Sequence, residues 1–336
     1  MSGIISDNKS RSSGLVKAGA GGVPTIAGDK SPATAGDIWY NSSTTELRCR
    51  LPIAAWSAGG NLGTARQSCQ GFGTSGAAAV AGGNHPAIGT TEEYNGTTWG
   101  AGGDTNTDSH GSAQGGLLTA GIKATGYGSD FTTGAETYDG TSWTAITAIP
   151  AYKYESAGLG IQTAFGVVGG DNSGPTDTMD IWNGSSWSAG GTLDTTAHHP
   201  VGCGTTTAGL KVGGLNPSST NIDIVEEYNG TDWTTVTAHP LTVSHSGIAG
   251  IQTDSLVVAG KTNNAGSTHT DAVYSYDGTN WTSQTAYPIE AFLPGMSKND
   301  QTASSDTIMF GGNENGKLNL TYEWLDAVSN ATITTS

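Results

Sequence analysis

Cysteine, charge and long apolar runs are all scarce in this chain of 336 residues. The three cysteines, Cys49, Cys69 and Cys203, are an odd number without metal-ligand spacing, so neither a disulfide framework nor a cysteine metal site is expected. Charged residues make up only 12% of the chain and hydrophobic residues 35%. No apolar run reaches roughly 18 residues and no heptad pattern occurs, which argues against a transmembrane helix and a coiled coil.

Positive charge is the scarcer sign. Thirteen Lys and Arg stand against 29 Asp and Glu, which gives a net charge of −16. A surface this negative repels phosphate backbones, so nucleic acid is excluded as an expected partner. Residues 1–7 lack the basic and then apolar pattern of a signal peptide, so we expect a protein made in the cytoplasm.

A phrase of six residues recurs five times: an aromatic residue, Asn-Gly or Asp-Gly, two polar residues and a tryptophan. The copies are Tyr94–Trp99, Tyr138–Trp143, Trp182–Trp187, Tyr228–Trp233 and Tyr276–Trp281. Successive closing tryptophans lie 44, 44, 46 and 48 residues apart, and Trp56 lies 43 residues before Trp99. A fixed period of this size predicts one supersecondary unit repeated as an array.

Each unit is expected to contain four short strands. Asn-Gly or Asp-Gly between β-branched and aromatic residues predicts a hairpin with a type I′ turn, which needs positive φ at both central residues. Upstream lies a small apolar run that ends in glycine, which lets neighbouring backbones approach closely. These glycines are Gly83, Gly121, Gly170, Gly214, Gly260 and Gly312, with the weakest copy at Gly121. A Gly, Ala and Ser-rich segment before each run supplies the fourth strand.

Four strands in roughly 40 to 50 residues is the size of one propeller blade. With the double glycine, the later tyrosine and the closing tryptophan in that order, the repeat resembles the kelch family of β-propellers over about residues 55–325. The fold expected is all-β, a six-bladed propeller with these tryptophans closing its blades: Trp56, Trp99, Trp143, Trp187, Trp233 and Trp281. The last blade lacks its own closing tryptophan, so the strand around Trp56 should complete it and close the ring. Seven blades is the alternative, if residues 36–51 form part of an extra one.

The region before the repeats differs from them in composition. Residues 1–36 are rich in Gly, Ala and Pro and cannot form a core, which predicts an extended arm. Residues 37–52 predict a β-hairpin, because the runs Ile38–Tyr40 and Leu47–Arg50 flank a polar turn. The propeller is then expected to occupy residues 53–336.

Two short segments of this region carry a second resemblance. The phrase Gly36–Asn41, and Met1–Ile5 with Ser10–Val16, are similar to segments of tail-fibre and related virion proteins of tailed bacteriophages, particularly marine ones. The resemblance implies an N-terminal attachment region and a distal propeller that displays loops.

Some kelch-type propellers are enzymes, such as copper-radical galactose oxidases and sialic-acid epimerases. A copper site would need Tyr and His ligands that converge on the axis of the ring. His199 and His239 each precede a proline, and Ile149 and Tyr287 stand at what the sequence suggests is the same position. A position that accepts Ile, Tyr or His behaves as a loop filler. We therefore expect no catalytic residue, metal ligand or cofactor.

Acidic residues recur two positions before the aromatic residue of the phrase, on the same face of the strand. They are Glu92, Glu136, Asp180 and Glu226. Two interpretations follow: a ring of carboxylates that binds cations, or acids that each accept a hydrogen bond from a backbone group or loop of a neighbouring blade.

The expected function is that of a non-enzymatic virion protein of a tailed phage, either a tail fibre or a receptor-binding component. Residues 1–52 would attach it to other virion subunits, as a homo-oligomer without membrane insertion, and the propeller would contact a host surface glycan or protein. Candidate recognition residues lie in the segments after the closing tryptophans: Tyr152, Tyr154, His198, His199, Tyr287 and Phe292. The alternatives are a capsid or tail decoration or adaptor protein without a receptor, and a carbohydrate-active enzyme of kelch type.

Overall fold

The structure, a computed structural model, describes residues 23–27, 37–84, 86–265, 268–298, 304 and 307–332, and for residues 49–54 and 325–332 it describes the backbone alone. These residues form β-strands and turns without a helix, so the described part of the chain is all-β. It accordingly holds no helix long and apolar enough to cross a membrane.

The chain divides into two compact units. One contains the described residues of the ranges 1–53 and 326–336, and the other is Ala54–Leu325. The second unit is shorter than the range 53–336 expected for the propeller, because the C-terminal residues group with the N-terminal ones.

The N-terminal unit contains the hairpin. Strand β2 (Ile38–Asn41) pairs antiparallel with β3 (Glu46–Ala58), and the two-residue strand β1 (Thr25–Ile26) pairs parallel with β2. The side-chain oxygen of Asn41 accepts hydrogen bonds from the backbone N–H groups that follow it in the turn. The arm expected over residues 1–36 lies outside the described residues, apart from residues 23–27.

The unit Ala54–Leu325 is built from antiparallel sheets, five of which have four strands. The first is β4 (Gly71–Thr74), β5 (Ala77–Ala81), β6 (Thr91–Tyr94) and β7 (Trp99–Ala101); the second is β8 (Ala113–Leu117), β9 (Ala120–Ala124), β10 (Ala135–Tyr138) and β11 (Trp143–Ile146). The third is β12 (Ala157–Ile161), β13 (Ala164–Val168), β14 (Met179–Trp182) and β15 (Trp187–Ala189); the fourth is β16 (Val201–Thr205), β17 (Ala208–Val212), β18 (Val225–Tyr228) and β19 (Trp233–Thr235). The fifth is β20 (Gly247–Ile251), β21 (Asp254–Asn263), β22 (Thr268–Tyr276) and β23 (Trp281–Ser283). Each closing tryptophan from Trp99 to Trp281 therefore begins the fourth strand of its sheet.

The last sheet joins the two ends of the repeat region. It contains β24 (Gly295–Met296), β25 (Ile308–Phe310) and β26 (Thr321–Thr332), and β3 lies beside β26. The Gly59 N–H donates to the Thr321 carbonyl at 2.9 Å, and the Trp56 ring lies 5.0 Å from that of Trp324. The expectation that the strand around Trp56 completes the final sheet is confirmed.

The first strands of the sheets contact one another in a closed series. Strand β4 contacts β8, β8 contacts β12, and the series continues through β16, β20 and β24 back to β4. These strands are rich in glycine because they approach so closely: a Cβ on Gly158 would lie 2.7 Å from the Gln114 carbonyl oxygen. The all-β unit is thus propeller-like.

One glycine of the predicted pattern is misplaced. Gly121 lies at the beginning of β9, opposite Tyr138, and not after its strand. Gly126, with φ of 118°, follows β9 in the way that Gly170 follows β13. The prediction for Gly121 is therefore corrected to Gly126, whose sequence neighbours, Thr125 and Tyr127, hide the repeat.

The hairpin turns also differ from the predicted type I′ turns. Tyr138 pairs directly with Trp143, which leaves four residues in the loop. Gly140 has φ of 93°, whereas Asp139 does not have positive φ. The Asp139 side chain instead accepts the backbone N–H groups of Ser142 and Thr141, each at 2.8 Å, and these bonds lower its pKa. Hydrogen bonds to the Asp139 side chain thus stabilise the turn without the left-handed backbone that a type I′ turn would need at this residue.

Aromatic side chains connect neighbouring sheets. The Tyr276 ring packs on Trp281 at 4.7 Å, and its hydroxyl donates to Glu227 of the preceding sheet at 3.0 Å. In the second sheet, the Trp143 indole N–H donates to Thr91 Oγ1 at 2.9 Å. Since these rings are largely buried and still find partners for their polar atoms, they suit the thin, weakly apolar sheets between which they pack.

Candidate functional site

Six residues at equivalent places, each just before the first strand of a sheet, form a closed backbone ring. In chain order these residues and their φ angles are Ser68 (50°), Gly111 (63°), Glu155 (52°), His199 (54°), His245 (57°) and Leu293 (57°). The N–H of each donates to the carbonyl of the one before it, and that of Ser68 donates to Leu293, over distances of 2.8 to 3.4 Å. Left-handed backbone at non-glycine residues is strained and persists where the surroundings enforce it, often at functional sites.

Imidazole side chains gather on this backbone ring. The His199 ring stacks on His245 with centroids 3.8 Å apart, and His198 lies 4.9 Å from His199. Burial, together with the adjacent His199 imidazole, holds the pKa of His245 well below its usual value. Burial alone would raise the pKa of Glu155, but the His199 and His110 imidazoles keep it below its usual value. The ring thus carries the Glu155 carboxylate 3.4 Å from His199 Nδ1, and a buried His245 imidazole whose lowered pKa disfavours its protonated form.

A small chamber of about 50 Å³ lies next to the backbone ring. The Lys298 ammonium at its wall donates to the carbonyls of Gly158 at 2.8 Å and Gly202 at 3.3 Å, and to Gln70 Oε1 at 3.0 Å. Ligand pockets usually have volumes of roughly 300–1,000 Å³. The chamber therefore has room for a few water molecules and not for a sugar or a peptide.

A continuous series of aromatic rings passes through His199 and His245 of the backbone ring. Its members, called here the aromatic band, are Tyr152, Phe131, Tyr127, His110, Tyr154, His199, His245, Phe292 and His269, with ring centroids 3.8 to 6.4 Å apart between successive members. The Lys261 ammonium lies 4.4 Å from the Phe292 ring centre. All members except His269 lie outside the strands, so the band is made by loops that the sheets hold in place.

A groove opens beside Phe131, where Tyr152 supports the ring. Its volume is about 630 Å³, and it is lined by side chains that include Asn106, Asp108, Asp130 and Phe131. This volume falls within the range of small-molecule sites. The groove, unlike the chamber beside the backbone ring, therefore has room for an organic ligand.

The sequence-predicted recognition residues divide into two groups. The aromatic band contains Tyr152, Tyr154, His199 and Phe292, and His198 lies beside it. Tyr287 is 2% exposed and packs against Trp56 and Tyr322 inside the last sheet. The expectation of an exposed Tyr287 is therefore corrected, and this side chain is excluded from the site.

The assumed equivalence of His199 and His239 is also corrected. The N–H of His239 donates to the Asp223 carbonyl, just as the N–H of Tyr287 donates to Asp271, so His239 belongs with Tyr287. His199 belongs to the backbone ring instead. The shared His-Pro dipeptide hid this difference, because it occurs at two separate places in successive repeats.

Sequence reasoning missed much of the band: His110, Tyr127, Phe131, His245 and His269. Phe131 follows Asp130 in a segment without a repeated motif, and His245 lies in a Val-Ser-His-Ser run that resembles any polar loop. A signal was present at Phe131, which is a large hydrophobic residue in an otherwise polar loop. Alignment of the six segments before the first strands would have placed Gly111, Glu155, His199 and His245 at one position.

The recurring acids act mainly as acceptors. Glu92 accepts the N–H groups of Gly63 at 2.6 Å and Thr64 at 3.1 Å, and Arg66 donates to it at 2.5 Å. Asp180 pairs with Lys153. Glu136 and Glu226 also accept backbone N–H groups, from residues 106, 107 and 194. The hydrogen-bonding interpretation is confirmed at these three glutamates.

Metal ligands do not cluster in the part of the chain that the structure describes: no group of three or more His, Cys, Asp or Glu there is arranged to hold an ion. A comparison of the chain with models of protein families found no match, and a search of curated proteins found no similar sequence. The site must therefore be interpreted from its own geometry.

Proposed function

We propose that this chain is a six-bladed kelch-like propeller that serves as a non-enzymatic virion protein of a tailed bacteriophage and recognises a host surface through the aromatic band. The six sheets and the closed series of contacts among their first strands support six blades over seven. The N-terminal resemblance supports the virion assignment, with residues 1–52 as the attachment region. Other virion subunits, in a homo-oligomeric arrangement, would be its partners at that end.

The observation that carries recognition is the distribution of aromatic side chains. Trp99, Trp143, Trp187, Trp233 and Trp281 occupy repeated strand positions. The aromatic band, by contrast, is made of residues that differ from repeat to repeat and, except for His269, lie in loops. A rigid scaffold that gathers unlike polar and aromatic loop residues is typical of a binding surface.

The test is binding of the labelled full chain to bacterial cells. Replacement of Tyr152, Tyr154 and Phe292 by alanine should reduce cell binding, while the replacement Thr234→Ala, on an exposed strand position of the fourth sheet, should leave it unchanged. Melting curves establish that the variants are folded. Equal binding by the triple variant would remove the band from the proposal.

The location of the chain separates recognition from decoration. Immunogold electron microscopy of particles should show the chain at a fibre tip if it binds the host. Labelling over the capsid or at the tail collar would favour the decoration or adaptor alternative.

An enzyme is the second candidate, because Asp108 and Asp130 lie in the same groove and two carboxylates can hydrolyse a glycosidic bond. Incubation with bacterial surface polysaccharide and analysis of the products tests it. Hydrolysis that is lost in Asp108→Asn and Asp130→Asn would replace the non-enzymatic proposal.

A further inference from the structure

We propose that the groove beside Phe131 binds an uncharged sugar ring, whose carbon–hydrogen face lies on the Phe131 ring while its hydroxyls donate to Asp108 and Asp130. The inference rests on the proposed recognition function and names the ligand class of that surface. Three observations carry it: the exposed ring, the shape of the groove and the sign of its charge.

Phe131 is a preorganised apolar platform. It is 41% exposed, and in the described residues Leu117 is the one other large hydrophobic side chain with such exposure. Tyr152 stacks on it with centroids 4.5 Å apart and an interplanar angle of 12°, and Tyr127 packs against its edge at 5.0 Å. The Tyr152 hydroxyl is in turn 2.8 Å from Ser173 Oγ. A ring held from two sides loses little freedom when a ligand covers it, which favours binding.

The walls of the groove are tightly packed backbone. A Cβ on Gly128 would lie 2.5 Å from the Asp108 carbonyl oxygen, so the loops that carry Asp108 and Asp130 touch each other. Asp130 Oδ1 accepts the Phe131 N–H at 2.8 Å, which orients this carboxylate beside the aromatic ring. An apolar flat surface with carboxylate acceptors next to it matches a pyranose, which has an apolar face and hydroxyl donors at its edge.

The charge of the groove selects against acidic sugars. Its two carboxylates are solvent-exposed, whereas the nearby Lys123 is buried and already donates to the Thr107 carbonyl at 2.8 Å. Lys123 also lies 3.9 Å from Glu136. Among the described residues that line the groove there is no Lys or Arg. An anionic ligand would therefore meet two like charges without a cation, in a chain whose net charge is −16.

Titration of the full chain with sugars tests the proposal directly. The probes are methyl glucopyranoside, methyl galactopyranoside and N-acetylglucosamine, with N-acetylneuraminic acid as the charged comparison, and binding is followed by saturation-transfer NMR and calorimetry. At least one neutral sugar should bind, with signal transfer to its ring hydrogens, and the charged sugar should bind more weakly.

Phe131→Ala should weaken that binding by about tenfold or more, because the platform is lost. Leu117→Ala is the matched control, since Leu117 has the same 41% exposure and lies outside the groove, and it should leave affinity unchanged. Phe131→Tyr keeps the ring and should retain binding. Asp108→Asn and Asp130→Asn should each weaken it.

Equal affinity in Phe131→Ala and the wild type, a preference for the charged sugar, or no binding of any neutral probe would each overturn the inference. Unchanged sugar affinity in Phe131→Ala, in a chain that binds cells, would remove the sugar site and leave host recognition standing. Sugar binding that depends on Phe131, in a chain that binds no cells, would support the sugar site and remove the proposal of host recognition.

Discussion

The residue two positions before the recurring aromatic residue of the third strand divides the six sheets into two sets. Glutamate stands there in the first, second and fourth sheets, and Asp180, Tyr274 and Tyr322 stand there in the third, fifth and last. The difference begins in the loop that each strand faces. In the glutamate set the loop residues are Gly63, Asn106 and Asp194, and in the other set they are Pro150, Pro240 and Pro288.

Backbone hydrogen bonding explains the division. The N–H groups of Gly63, Asn106 and Asp194 donate to their glutamates at 2.6, 2.8 and 2.7 Å. An N–H that faces the strand can donate to a carboxylate there, whereas proline has no N–H to donate. Where the loop residue is proline, the strand is free to carry an aspartate or a tyrosine. The recurring acid is therefore an acceptor that the loop demands.

Buried cations accompany the acids at this position, and the third sheet, with its Lys153–Asp180 pair, shares this feature with the glutamate set. The glutamates are accompanied by buried cations, Arg66, Lys123 and Lys211. In the fifth sheet, Tyr274 packs against His239 with centroids 5.1 Å apart, and none of the ion pairs found among the described residues lies in that sheet. The sheets with an acid at this position, including the third through its Lys153–Asp180 pair, are thus sensitive to the loss of a charge, whereas the fifth is sensitive to its arrival.

The largest effect is expected from Lys211→Ala. Both side chains of the Lys211–Glu226 pair are 0% exposed, so the variant leaves a buried carboxylate without its cation and should lose about 3–5 kcal/mol of unfolding free energy. Urea denaturation measures the loss. Lys317→Ala, at an exposed position, is the control and should change stability by less than about 0.5 kcal/mol. A loss below about 1 kcal/mol for Lys211→Ala would contradict the comparison.

The next effect concerns acid. Burial lowers the pKa of His239 from 6.5 to about 4. As pH falls from 6.5 to 4 the unfolded chain binds a proton there and the folded chain does not, so the fold loses stability through this window, by on the order of 3 kcal/mol in total. His239→Ile copies Ile149, which occupies the equivalent loop position before the third sheet. This variant should lack the part of the acid-induced loss of stability that His239 causes.

The measurement is unfolding free energy against pH for the wild type and His239→Ile. Other histidines titrate in both proteins, so the difference between the two curves is the quantity to follow. A constant difference between pH 7 and pH 4 would show that His239 makes no pH-dependent contribution to stability, and would contradict this prediction.

The smallest effect is expected from Gly63→Pro, which places at the loop position of the first sheet the proline found there in the other set. It removes the N–H that donates to Glu92, worth roughly 1.5–3 kcal/mol for a charged acceptor, and regains about 0.4–1 kcal/mol because proline restricts the unfolded chain. The net loss should be about 1.5 kcal/mol by thermal or urea unfolding. Gly63→Ala keeps the N–H and meets the same Glu92 oxygen, 3.1 Å from its Cβ. If both variants are equally stable, the N–H does not govern the choice of residue at position 92.

Much of the repeat could be predicted from the sequence because its signals are local or periodic. The hairpins around Gly140 and its equivalents, the tryptophans that begin the fourth strands and the completion of the last sheet beside Trp56 all follow from spacing. The misplacement of Gly121 shows the limit, because the second repeat has lost the double glycine and the local pattern favoured the wrong register.

The amino-acid sequence by itself determined the repeating strands, since Asn-Gly and Asp-Gly turns, glycine-ended runs and evenly spaced tryptophans act over a few residues. The tertiary structure alone decided which loop residues meet: His199 stacks on His245, Tyr152 supports Phe131, and Tyr287 is buried although the residues on either side of it are exposed. Those contacts join residues more than 20 positions apart, and their partners are set by the closure of the ring of first strands. No local pattern carries that information, because backbone closure and not residue type brings these side chains together.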